Sequence, residues 1–243
     1  RNLTLYTSIG VNVYDTFDNF KNFSESPIPK VRSDIQRYLD EGKNHIKRMN
    51  IEYHGSPYKN VFYRVDAGIL EEMFAGIGGE ILYRPFNRSY VLGLSAHKVR
   101  KRAFDQKFSL MDYENVTGHL SLYNEWPAGV VSSVSIGEYL AGDTGATLDV
   151  SRRYKSGFTL GVYATKTNLS AEEFGEGSFD KGFYFSIPTK LFFPDYTTGH
   201  IGFGISPLTK DGGARLWQST NLYGVFGDSH ASSIIRDWDA LLD

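Results

Sequence analysis

The chain has 243 residues, a formal net charge of -2 and no cysteine. The lack of Cys excludes disulfide frameworks, thiolate catalysis and Cys-ligated metal sites, and the near-neutral charge gives no indication of a nucleic-acid partner. Aromatic residues make up 15% of the chain, with 16 Tyr and 17 Phe beside 25 Gly. This composition favours many short strands joined by turns, and no apolar run reaches the roughly eighteen residues of a membrane helix.

Apolar and polar residues alternate along almost the whole chain, which is the pattern of half-buried β-strands. About twelve such segments are predicted, most of them close to the 9–11 residues that a tilted membrane strand needs. In chain order their spans are 2–14, 43–55, 58–71, 76–85, 89–100, 113–125, 129–140, 145–154, 157–167, 179–191, 197–207 and 214–226.

The polar faces of these strands carry charged residues among small ones, namely Arg64, Asp66, Glu80, Asp149 and Arg153. A soluble sandwich would turn this face to water, whereas a membrane barrel points it into the lumen and turns the apolar face to lipid. Aromatic pairs near strand ends resemble the interfacial girdles of such barrels. The pattern therefore predicts an all-β fold, an antiparallel transmembrane β-barrel of about twelve strands. Its lipid-facing side would include Tyr63, Leu94, Val162 and Phe185.

Short turns alternate with long polar loops, an asymmetry that is typical of outer-membrane barrels. The loop over 15–42 contains a segment with helical spacing, Val31–Asp40, and a second amphipathic segment covers Ser229–Leu242. We therefore predict one barrel domain over residues 1–228 and a C-terminal helical tail over 229–243. The chain begins at Arg1 within a strand-like segment and shows no signal peptide, so we expect a removed leader or a part of a longer protein.

Three residue patterns in the sequence bear on catalysis or metal binding: clustered carboxylates, histidines and a nucleophilic serine. Carboxylates cluster at 172–180, as in a glycoside-cleaving site, but nothing separates their acidities, so a solvated acidic loop is the simpler interpretation. Three histidines lie on predicted polar faces without a metal-binding spacing, and no G-x-S-x-G elbow is present. No catalytic, cofactor-binding or metal residue is predicted, and an enzyme is not expected. The histidines are His97, His119 and His200.

Four strings are long enough to be specific, and a fifth, short segment accompanies them: Glu71–Pro85, Tyr139–Arg153, Phe174–Gly182, Pro207–Ala214 and Val31–Asp34. They resemble the YjbH/GfcD family of exopolysaccharide-associated outer-membrane proteins, and specifically the C-terminal portion of its larger members. The resemblance implies a barrel in the bacterial outer membrane that takes part in exopolysaccharide or capsule secretion or assembly. Its implied partners are outer-membrane lipid, surface polysaccharide and other export-machinery proteins, with no cofactor.

The family provides no catalytic residues to carry over, so candidate contacts with polymer or partners come from the matched strings and from the polar strand faces. Two tyrosines could stack on sugar rings or could serve only in packing. The candidates are Glu71, Glu72, Asp143, Glu176, Asp180, Asp211, Tyr163 and Tyr184.

Two alternatives to an export barrel stay open. An outer-membrane lipid or glycan hydrolase on a barrel scaffold would need a nucleophile and a base in contact. A soluble β-barrel that binds carbohydrate would place the apolar face inside. One feature departs from many outer-membrane barrels, which end in an aromatic-terminated strand, whereas this chain ends with Leu242 and Asp243.

Overall fold

The computed structural model describes residues 2–14, 27–174, 179–193, 199–206, 211–218 and 220–227. Within them, eleven strands form one antiparallel sheet in which the spatial order follows the chain order. The strands are β1 (Leu3–Val11), β2 (Asn44–Tyr58), β3 (Val61–Ile69), β4 (Phe74–Tyr83), β5 (Tyr90–Arg102), β6 (Leu110–Trp126), β7 (Val130–Glu138), β8 (Thr144–Arg153), β9 (Thr159–Thr167), β10 (Asp180–Pro188) and β11 (His200–Ile205).

Each strand pairs with its chain neighbours, so the sheet is a continuous series of hairpins. The longest ladder joins β5 to β6, from the pair Tyr90 and Asn124 to the pair Arg102 and Leu110. The prediction of an all-β antiparallel fold is confirmed. In the described part of the chain no ladder joins β11 to β1, so the sheet is not closed into a barrel there.

The two faces of the sheet have an inverted polarity compared with a water-soluble protein. Side chains of Leu94 and Val162 are 52% and 54% exposed, and those of Tyr63 and Phe185 are half-buried. Arg64 and Glu52, in contrast, are only 2% and 1% exposed. We call the side that carries Arg64 and Glu52 the inner face and the opposite side the outer face.

The predicted twelfth strand, 214–226, is wrong. This part of the chain crosses the inner face as an irregular segment that ends in a short helix, α3 (Leu222–Val225), and we call its described residues, 211–218 and 220–227, the strap. Its backbone groups bond to side chains and to a turn and not to a neighbouring strand: the N–H of Leu222 donates to Glu80, and the carbonyl of Ala214 accepts from the N–H of Leu140. Leu222 packs on the sheet, in a buried cluster with Leu82 and Val91.

The helix predicted over 31–40 is present as α1 (Ile35–Glu41), which also packs on the inner face. The hydroxyl of Tyr38 donates to the carbonyl of Arg102 at 2.6 Å. A buried apolar cluster joins this region to the strand ends and turns nearby; it contains Val31, Tyr38, Leu70, Met73, Phe74, Val99, Leu140 and Ala141.

The remaining elements are short: α2 (Ala171–Phe174) and the 3-10 turns Pro127–Gly129 and Thr189–Leu191. No helix in the described ranges is long and apolar enough to cross a membrane. The predicted tail over 229–243 lies outside the described residues, so the division at 228 stays a prediction.

Candidate functional site

Carboxylates in two turns between strands hold the strap through its backbone. Asp143 accepts a hydrogen bond from the N–H of Gly213, and Glu71 accepts one from the N–H of Trp217, each at 2.8 Å. Because these amides have no strand ladder, they need other acceptors when they are buried. The carboxylates supply them, and a charged acceptor makes each bond stronger than a neutral one.

Buried charges continue this network toward α3. The guanidinium of Arg64 donates to the carbonyl of Thr220 and, at 2.7 Å, to Gln218, and it pairs with Asp66 at 3.0 Å. The hydroxyl of Thr220 donates to both oxygens of Glu52, at 2.8 and 2.9 Å. Removing one partner of such a buried pair leaves an uncompensated charge, so the network fixes the position of the strap.

Asp211 joins the start of the strap to the segment before α1. Its Oδ1 accepts from the N–H groups of Val31, Arg32 and Ser33 at 2.8, 2.7 and 3.0 Å, and its Oδ2 accepts from the Ser33 hydroxyl at 2.6 Å. Arg32 then forms a bidentate pair with Glu71, at 2.6 and 2.9 Å. These hydrogen bonds therefore connect the strap and the segment before α1 to each other, and Glu71 connects both to the turn between β3 and β4.

Asp143 lies in the turn between β7 and β8. Burial raises the pKa of its carboxyl above the usual range, and the nearby Asp211 carboxylate acts in the same direction. Hydrogen bonds from Gly213 and Thr167 oppose this shift because they stabilise the charged form. The net result is a carboxyl group that holds its proton more tightly in the folded protein than in the unfolded chain.

A cavity of about 550 Å³ lies beside the strap, against strands β7 to β10. Tyrosine rings and hydroxyl groups dominate its wall, together with two carboxylates from the sheet and Arg215 from the strap. The wall includes Tyr163, Tyr184, Asp149, Asp180 and Arg215. The hydroxyl of Tyr184 donates to Asp149 at 3.0 Å.

The two cavity tyrosines each face a glycine on the neighbouring strand. Tyr163 is paired with Gly182, and Tyr184 with Gly161. A Cβ atom added to Gly161 would lie 2.2 Å from Cζ of Tyr184, and one added to Gly182 would lie 2.6 Å from Cε1 of Tyr163. Each ring therefore lies across its glycine partner, and the missing side chain provides the space.

A second cavity, of about 390 Å³, lies against β4 to β6 on the other side of Arg215 and contains inner-face histidines. His97 is 3.1 Å from Asp66 and also contacts Gln218 of the strap. His119 packs edge-on against Tyr139, and His200 is on β11. The described residues contain no group of three or more His, Asp or Glu side chains that could hold a metal ion.

Six of the eight predicted contact residues fall into two sets. Asp180, Tyr163 and Tyr184 lie together on the wall of the first cavity. Glu71, Asp143 and Asp211 lie elsewhere: they are buried and hold the strap and the segment before α1.

Of the two remaining candidates, Glu72 belongs neither to the cavity wall nor to the buried carboxylates that hold the strap. Glu72 is 45% exposed and lies 3.8 Å from Lys47, so it is available at the surface. Glu176 lies outside the described residues. A role in polymer or partner contact stays a prediction for all eight candidates.

Most of the residues that line the first cavity were not among those candidates. Asp149 was recognised only as a charge on a polar strand face, and Arg215 fell inside the predicted twelfth strand. Tyr123 stacks on Tyr223 of the strap, with ring centroids 4.0 Å apart. The alternation placed Tyr123 near a strand end, but no sequence signal brings Arg215 or Tyr223 to the sheet, because the strap reaches it only through long-range contacts.

Comparison with known proteins gives one family. The family profile described as "Exopolysaccharide biosynthesis protein YbjH" matches residues 1–227. The chain is 37% identical over 222 residues to the "Uncharacterized lipoprotein YjbH" of Escherichia coli (strain K12); the match covers 89% of this chain and 32% of that relative. The chain thus spans about a third of the relative's length. No solved structure shows a significant match. The chain belongs to the YjbH family of exopolysaccharide biosynthesis proteins.

Proposed function

We propose that the chain forms an outer-membrane β-barrel, or a large part of one, that takes part in secreting or assembling exopolysaccharide and has no catalytic activity of its own. Membership in an exopolysaccharide biosynthesis family supports the process. The printed name of the Escherichia coli relative describes a lipoprotein, which supports a place in the cell envelope.

The inverted polarity of the sheet carries this proposal. Exposed apolar side chains recur at every second position on the outer face, as shown by Leu92 and Leu94 on β5 and by Leu120 and Leu122 on β6. A contiguous apolar surface of this extent is not stable in water. Lipid is the solvent that suits an apolar outer face around a polar interior.

The same observation argues against a soluble carbohydrate-binding module. Such a module would bury its apolar face, but here the charged side chains Arg64, Asp66 and Glu80 are buried and the aliphatic ones are exposed. Nothing in the described geometry favours a hydrolase.

Membrane insertion adds a requirement at the sheet edges. Unpaired backbone groups of β1 and β11 would be costly in hydrocarbon, so these edges need partners there. Neighbouring strands alternate in direction, so β1 and β11 run the same way. Direct closure would be parallel, whereas an odd number of further strands would close the barrel with antiparallel pairs. The greater length of the Escherichia coli relative is compatible with additional strands.

Heat-modifiability on a gel tests the proposal. The protein is refolded with and without detergent, and boiled and unboiled samples are compared. We expect a folded form that requires detergent and migrates differently when it is not boiled. A protein that is monomeric and folded without detergent would contradict the membrane barrel.

A further inference from the structure

We propose that the 550 Å³ cavity on strands β7 to β10 is a binding site for a short run of uncharged sugar residues, which stack on Tyr163 and Tyr184. This inference rests on the proposed function, because it specifies what the interior of the barrel contacts during export. It places the contact with the polymer at the cavity and assigns it to stacking on tyrosine rings.

The two aromatic rings are oriented so that a sugar ring can stack on them. Since each ring covers a glycine on the adjacent strand, it lies along the sheet with one face toward the protein and the other toward the cavity. The axial C–H groups of a pyranose ring pack against such an aromatic face, and burial of both surfaces is favourable. Tyr163 and Tyr184 lie on the paired strands β9 and β10, two register positions apart, and both line the cavity.

Polar groups surround the two tyrosines on the cavity wall. Asp149 and Asp180 provide carboxylate oxygens, which accept hydrogen bonds from sugar hydroxyls. Tyr184 already donates to Asp149, and this bond holds both groups in place. Hydroxyls that can donate or accept complete the wall; they belong to Ser133, Ser135, Thr147, Ser151 and Thr165.

The size and charge of the cavity also suit a short neutral saccharide. A volume of about 550 Å³ lies within the range of sites for small organic ligands. The charged side chains on the wall are Asp149, Asp180, Arg215 and Arg32, and Arg32 is already engaged by Glu71. The cavity wall therefore carries two carboxylates, Asp149 and Asp180, and one guanidinium that Glu71 does not neutralise, Arg215. This balance disfavours an acidic polymer and favours a neutral one.

The experiment measures saccharide binding to the refolded full chain in detergent by isothermal titration calorimetry. The neutral probes are malto-, cello- and manno-oligosaccharides together with oligosaccharides from a partial hydrolysate of the producing strain's exopolysaccharide. Oligogalacturonate is the acidic probe. We expect at least one neutral probe to bind and Tyr163→Ala or Tyr184→Ala to weaken it about tenfold.

Tyr63→Ala is the matched control, because Tyr63 lies over Gly55 in the same way but on the outer face. Tyr184→Phe keeps the ring and removes the hydroxyl, so it should retain more affinity than Tyr184→Ala. Every variant is first checked for the gel shift of the folded wild type. A normal gel shift with binding of none of the neutral probes would overturn the cavity assignment alone and leave the membrane barrel intact. Binding of oligogalacturonate only, or neutral binding that both alanine variants leave unchanged, would also overturn it.

Discussion

Asp211 shows how one side chain can determine the position of two segments. Its carboxylate accepts four hydrogen bonds from residues 31–33, although it lies 178 or more positions away in the chain. A buried amide that loses its acceptor costs about 1–3 kcal/mol. The strap and the segment before α1 therefore depend on this residue for their relative placement.

Substitution of Asp211 tests that dependence. We expect Asp211→Ala to lower the free energy of unfolding by about 3 kcal/mol, because three backbone N–H groups lose their acceptor. Asp211→Asn keeps one acceptor oxygen and should cost less. The measurement is the midpoint of thermal unfolding in detergent, followed by the gel shift. Equal midpoints for wild type and Asp211→Ala would show that Asp211 is not a structural anchor.

Asp143 provides a pH-dependent contribution to stability. Burial raises its pKa in the folded protein above that of the unfolded chain. The folded state therefore binds the proton more tightly, so this contribution to stability is greatest below the unfolded pKa and is lost as the pH rises through the raised pKa. The titratable groups that interact with it are Asp211 and Tyr113, and Tyr113 in turn interacts with Glu138.

Thermal unfolding between about pH 4 and about pH 8 measures this contribution. We expect Asp143→Asn to lose less stability over this range than the wild type, because the asparagine does not ionise. Asp40→Asn, at an exposed position of α1, is the control and should follow the wild type. A wild-type pH profile that Asp143→Asn leaves unaltered would contradict the role of burial at this carboxyl.

At the scale of elements, the strands could be predicted from the sequence because their period of two is local and is sustained over most of their length. The outer and inner faces of β9 and β10 follow directly from the alternation, and α1 was found from its helical spacing. The conformation of the strap could not be predicted from the sequence, because it depends on acceptors such as Glu71 and Glu80, which are more than a hundred residues away in the chain. The cavity was missed as a unit for the same reason.

Adjacent positions on β7 give a matched test of the two faces. Val134 is 45% exposed on the outer face, and Ser133 lines the cavity on the inner face. An arginine in the middle of a lipid-facing strand costs about 2–4 kcal/mol. We therefore expect Val134→Arg to reduce the yield of the heat-modifiable form strongly and Ser133→Arg to reduce it little. A larger loss of the heat-modifiable form for Ser133→Arg than for Val134→Arg would contradict the contact of the outer face with lipid.

At the scale of the whole molecule, the strap lies on the inner face of the sheet, beside the two cavities. If the sheet closes into a barrel as proposed, the strap would obstruct the lumen, so we expect the closed form to conduct ions poorly. Glu71 and Glu80 are two of the carboxylates that hold the strap, so we expect their removal to loosen it.

Conductance in planar bilayers tests this expectation. The combined variant Glu71→Ala with Glu80→Ala should conduct more than the wild type, because Trp217 and Leu222 lose their acceptors. The combination Glu71→Gln with Glu80→Gln keeps an acceptor oxygen at each site and should give a smaller increase. Glu72→Ala is the control at an exposed neighbouring position. A conductance of the folded double alanine variant equal to that of the wild type would show that the strap does not obstruct the lumen.

The measurement closest to the central claim is the accessibility of spin labels along β7 in lipid vesicles. The chain has no native Cys, so single substitutions such as Ser133→Cys and Val134→Cys place one label at a time over 130–138. We predict a period of two: outer positions, including 134 and 136, accessible to oxygen dissolved in lipid, and inner positions accessible to a water-soluble nickel complex. Outer-face labels that are accessible to the nickel complex and not to the oxygen dissolved in lipid would contradict the membrane barrel.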